Sequence, residues 1–135
     1  MKKIIITTLV VAFFSLYLFA QTNIKPSVDR GKIVYETYCL TCHQDDGAGV
    51  PKLNPSLIQT SYTTGDKKKL IKWVLQGTTD KIAIDGKFYS NNMAPQNYLK
   101  DEEIADVLTF IRNSFGNKTS AVTAAEVKAV RATVK

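Results

Sequence analysis

Residues 35–44, YETYCLTCHQ, hold both cysteines and the only histidine of the 135-residue chain. No other feature restricts the possible folds as tightly, because whatever packs around C-x-x-C-H must serve two thiols and an imidazole at once. The residues before it read as a helix: VDRGKIVYETYCLTC has apolar positions at Ile33, Val34, Tyr38 and Leu40, with Asp29 as N-cap. Residues 44–64 are rich in Gly, Pro, Asp, Asn, Ser and Thr and read as loop. DKKKLIKWVLQG is a second helix, capped by Asp66, apolar at Leu70, Ile71, Val74 and Leu75, and stopped by Gly77. Another loop covers 77–100. KDEEIADVLTFIRNSFG is the clearest helix, with Ile104, Val107, Leu108 and Ile111 on one face, acids in its first turn, Arg112 near its end and Gly116 past it. TAAEVKAVRA opens on a capping box, Thr123 to Glu126, and reads as a short terminal helix. No strand alternation stands out. Two loops this long in a small domain need something inside them to pack against.

The chain opens MKKIIITTLVVAFFSLYLFAQ: two lysines, an apolar run from Ile4 to Phe19, then small Ala20. That order is a secretory signal with cleavage after Ala20. The run is just short of the ~20 residues that span a bilayer. Leu18 is bulky for the position three before the cut, so an uncleaved membrane anchor is the alternative. Residues 1–20 are therefore assigned to a signal peptide, 21–28 to a flexible linker and 29–135 to one domain with a short C-terminal helix. Without Lys2 and Lys3 the chain keeps 16 basic against 12 acidic residues, a net +4. This mild excess, with no arginine cluster or basic helix stripe, is not a nucleic-acid footprint. The densest positive stretch, DKKKLIK, reads first as a solvated helix start.

Four chemistries compete for C-x-x-C-H. A structural disulfide suits export, but closing a ring from i to i+3 removes little chain entropy. A thioredoxin-like pair follows a buried strand in a βαβ setting, and here a helix precedes it. Zinc takes four such ligands, or three plus water; two cysteines and a histidine make three, yet leave the two loops unexplained. Covalent haem attachment is the fourth. The thiols add across the haem vinyl groups and the adjacent histidine reaches the iron. The motif favours this reading. Haem iron takes a sixth ligand, and Met93, in NNMAPQNYL, is the one methionine besides Met1. A lone methionine is often a core filler, but this one sits in a polar loop beside Pro95. His/Met ligation is the electron-transfer arrangement, with a raised potential.

The chain from about Asp29 to Phe115 resembles the class I monohaem cytochromes c, and within them small bacterial ones found free or fused to quinoprotein dehydrogenases and copper nitrite reductases. RGKIVYETYCLTCHQDDGAGVPKLNPSL, TTGDKKKLIKWVLQG, IDGKFYSNNMAP and LKDEEIADVLTFIRNSFGN carry the likeness, and AVTAAEVKAVRA matches the subgroup's usual ending. The resemblance implies an all-α cytochrome c fold, a few helices and long loops wrapped around one covalently bound haem c. It implies thioethers at Cys39 and Cys42, axial ligands at His43 and Met93, and a Pro55 carbonyl that accepts the His43 Nδ1–H. Gly31 and Tyr35 would meet Val107 and Phe110 where the first and last core helices cross. The chain departs from the pattern at NPSL, where two prolines are common, and at Tyr62, where a tryptophan is. Trp73 could approach a haem propionate or face the core, and its helical spacing favours the core. The glycosylation-like NKT at Asn117 is given no role.

The expected function is one-electron transfer by an exported, periplasmic carrier in a respiratory or dehydrogenase-linked chain, not enzymatic catalysis. A haem peroxidase needs an open iron position and a distal acid/base, and no second histidine exists to supply one. The alternative is a dedicated cytochrome subunit of a larger complex. Expected partners are a redox donor and acceptor (a quinoprotein dehydrogenase, nitrite reductase or terminal oxidase), with no nucleic acid, and a membrane only if the N-terminal segment is retained.

Overall fold

A computed structural model describes residues 23–79 and 83–134. The expected signal segment lies outside the described residues. Among the described residues six helices run in chain order: α1 Lys25–Tyr38, α2 Leu40–His43, α3 Ser61–Thr64, α4 Lys67–Gln76, α5 Asp101–Arg112 and α6 Ala124–Arg131. Between α4 and α5 lies one antiparallel hairpin, β1 Ala83–Ile84 with β2 Lys87–Phe88. The all-α expectation holds, apart from this hairpin.

Two expectations for the first helix are corrected. It begins at Lys25 rather than after Asp29, because Pro26 sits in its first turn, where a fixed φ helps and a missing N–H costs nothing. Residues 25–28 thus belong to the helix and not to a linker; Ser27 Oγ donates to Asp106 at 2.6 Å. Asp29 instead pairs with Lys25 at 2.6 Å on the exposed face. The buried face of α1 is also different. Gly31 and Tyr35 are buried, while Ile33 is 65% exposed. The apolar count misled because the core contact of α1 is made by a glycine and an aromatic.

That contact is the crossing of α1 and α5. A Cβ at Gly31 would stand 2.0 Å from the Asp106 carbonyl oxygen and 2.8 Å from Phe110 Cβ. Only a residue without a side chain permits such an approach. Tyr35, Phe110 and Phe115 then pack as a trio, with ring centroids 5.3 to 5.5 Å apart. Arg30 closes the rim by two bonds to the Asp106 carboxylate, 2.6 and 2.8 Å.

Helix α4 forms as its pattern dictates, with Asp66 accepting from Lys68 N and Leu70, Ile71, Val74 and Leu75 buried. Helix α6 folds back over α4 and α5. Its capping box is complete, Thr123 N donating to Glu126 Oε2 and Glu126 N to Thr123 Oγ1, and Val127 and Val130 are buried. Asn117, given no role from the sequence, is a buried joint: it donates to the carbonyls of Leu57 and Ile111 and accepts from Gln59 N. The two long loops are fastened to each other, Ser90 N donating to Lys52 O and Asn91 N to Leu53 O.

Candidate functional site

The helix of α1 breaks at Cys39 (φ −116°, ψ −30°) and resumes as the single turn α2, with His43 N donating to Cys39 O at 2.9 Å. This turn carries Cys42 and His43 onto the wall of a cleft of about 270 Å³. Cys39, Cys42, His43, Pro55 and Met93 all line it. The site residues read from the sequence are therefore brought together, from three separate stretches of chain.

His43 Nδ1 lies 3.0 Å from the Pro55 carbonyl oxygen. A carbonyl only accepts, so Nδ1 carries the hydrogen and the Nε2 lone pair is left without a protein partner among the described residues. Burial lowers the imidazole pKa below its ordinary value, opposed by the Pro55 bond. The ring is thus neutral at neutral pH, the form that binds metal. Both cysteines are free thiols, Cys39 half-buried and Cys42 exposed. Burial, and then the neighbouring Cys42, push the Cys39 thiol up to about 11.

Two glycines shape the walls, and the sequence reading missed both roles. A Cβ at Gly49 (φ +69°) would lie 2.5 Å from the Pro55 carbonyl oxygen, the acceptor for His43. A Cβ at Gly77 (φ +67°) would lie 2.3 Å from the Met93 carbonyl oxygen. Thr78, also unforeseen, grips Met93 by its own peptide groups: Thr78 N donates to Met93 O at 2.9 Å, and Met93 N to Thr78 Oγ1 at 3.1 Å. A glycine that ends a helix signals a turn; that it also admits a second chain segment is not legible locally.

Trp73 is corrected. It is half-buried and lines the cleft, stacked on Tyr62 at 4.0 Å with 21° between planes. Lys69 Nζ caps that stack, 4.3 Å from the Tyr62 centroid. Helical spacing alone could not tell a core face from a cleft face.

Among the described residues, no three His, Cys, Asp or Glu side chains converge on one point as a metal-chelating group. Two free thiols, a neutral imidazole and a thioether around one mostly apolar cleft fit covalent haem c. Comparison with known proteins agrees: the family model for cytochrome c matches residues 28–115. The chain belongs to the cytochrome c family.

Cytochrome c-552 of Thermus thermophilus is 35% identical over 103 residues, covering 70% of this chain and 79% of its own length. The fructose dehydrogenase cytochrome subunit of Gluconobacter japonicus is 37% identical over 108 residues, 76% of this chain but 22% of that subunit. The gluconate 2-dehydrogenase cytochrome c subunit of Pantoea cypripedii is 35% identical over 105 residues, 75% of this chain and 24% of the subunit. The chain thus spans about a quarter of those two subunits. As a cytochrome c of this size it binds one haem c covalently, and it is an electron-transfer protein rather than an enzyme. Helix α6 lies beyond the matched residues.

Proposed function

We propose that this cytochrome c is an exported one-electron carrier in which Cys39 and Cys42 form the thioethers and His43 and Met93 are the axial ligands of the haem iron. The observation that carries the proposal is the Nδ1–Pro55 bond, which turns the one histidine into a fixed, neutral donor on the same cleft as the one available methionine. Haem c, when bound, supplies the one-electron ferric/ferrous couple. The chain's own residues do the rest. Pro55 raises the basicity of the imidazole and locks its orientation. Thr78 and Gly77 hold the Met93 peptide against the end of α4. Trp73, Ile84 and Tyr38 wall the cleft against water.

Met93 ligation is tested by Met93→Ala in the haem-loaded protein. The oxidised wild type should show a weak sulfur-to-iron band at the red edge of the visible spectrum. The variant should lose it, take up cyanide quickly and have a lower potential. An unchanged band would assign the sixth ligand elsewhere. Covalent attachment through Cys39 and Cys42 is tested by acid-acetone extraction, in which the pigment should stay with the protein.

The carrier works outside the inner membrane, in the periplasm, in a respiratory or dehydrogenase-linked chain. The signal-like residues 1–20 support export, and no helix among the described residues is long and apolar enough to cross a membrane. The likeness to cytochrome subunits of sugar dehydrogenases supports a quinoprotein dehydrogenase as donor, with the protein either free or docked as a subunit. Co-purification of a dehydrogenase with the tagged protein from its source would favour the subunit form.

A further inference from the structure

Residues 94–100 connect Met93 to α5, and Pro95 within them has no N–H to bond. Glu103 of α5 accepts from Lys100 N at its end, and from α6 a single side chain holds its middle. Arg131, in the last turn of α6, donates three bonds of 2.7 Å each: Nε to Asp101 Oδ1, Nη1 to the Asn97 carbonyl and Nη2 to the Leu99 carbonyl. Among the described residues no other donor reaches either carbonyl. The pair with Asp101 is partly buried, with side chains 30% and 23% exposed. Further up the connection, Gln96 N donates to Val74 O at 2.8 Å. The path from the sulfur to the helix is therefore pinned by Thr78, by Val74 and by Arg131. Only the last comes from beyond the residues that the family model matches.

We infer that Arg131 is a positioning residue for Met93, and that α6 straps the methionine loop closed through it. A guanidinium suits this work because its planar fork meets two carbonyls and a carboxylate in one fixed geometry. A loop held at its far end opens less often, so the thioether leaves its place less often. The inference rests on the reading of Met93 as sixth ligand.

Cyanide binding to the oxidised, haem-loaded protein reports how often that position opens. Arg131→Gln should raise the association rate about tenfold, the scale expected when charge-assisted bonds are lost. Arg131→Lys, which keeps the charge without the fork, should recover part of the difference. Val127→Ala is the control: it weakens the seating of α6 by trimming a buried side chain and leaves the guanidinium intact. An unchanged rate in Arg131→Gln overturns the inference. So does an equal acceleration in Val127→Ala at the same loss of thermal stability, since α6 would then act by docking alone. Amide exchange at Gln96 and Leu99 reads the clamp without reference to the ligand, and should rise in Arg131→Gln more than in Val127→Ala. Met93→Ala separates the two readings. If it binds cyanide no faster than wild type, the ligand assignment fails; if exchange is unchanged in Arg131→Gln, the clamp fails.

Discussion

Gly49 and Pro55 act on His43 through a single carbonyl oxygen. The backbone at Gly49 occupies the left-handed region at φ +69°, and its missing Cβ makes room for that oxygen. Gly49→Ala should displace the carbonyl and weaken the His43 bond. With His43 as the proposed iron ligand, the imidazole would then be a poorer donor, the ferric state would lose support, and the potential should rise. A lost bond of ~1 kcal/mol corresponds to about 40 mV for one electron, readable by spectroelectrochemical titration. A fall in potential would contradict this account.

At the scale of elements, α4, α5 and α6 follow their apolar periodicity and caps, and these were legible. The start of α1 was not, because a proline in the first turn outweighed the carboxylate taken as its cap. Nor was the hairpin. Its signal was present in Asp85 and Gly86, the two residues of a turn with φ of +50° and +76°, a pair that favours such tight turns; strands of two residues are too short to show alternation. The site was legible in part. Cys39, Cys42, His43 and Met93 are marked by rarity and spacing, whereas Thr78, Gly49 and Arg131 act through contacts with distant chain that no local pattern records. The α1–α5 crossing offers the sharpest test of packing. Gly31→Ala must push the two helices apart or distort Asp106, at a cost of about 1–3 kcal/mol for an overpacked contact. A thermal midpoint equal to wild type would show that the crossing yields more easily than its geometry implies.

Across the whole molecule, the positive charges of α4 are not equivalent. Lys67 is tied to Glu126 and donates to the Ala121 carbonyl. Lys69 lies over Tyr62. Lys68 and Lys72 are exposed, and among the described residues neither has an ion-pair partner. If this face steers an acidic redox partner, the double variant Lys68→Glu, Lys72→Glu should slow association several-fold at low salt, with the difference vanishing as salt rises. Stopped-flow reduction across a salt series decides it. Equal rates with equal, flat salt dependence would leave these lysines as solubilising charge and place docking on apolar surface.

The crossing of α1 and α5 also has a meaning in time. Arg30 and Asp106 are 76 positions apart, and the whole C-x-x-C-H segment and the methionine loop lie between them. A chain that emerges from its N terminus presents Cys39, Cys42 and His43 long before α5 exists to close over α1. Helix α5 therefore closes over α1 only after every residue that lines the cleft has emerged.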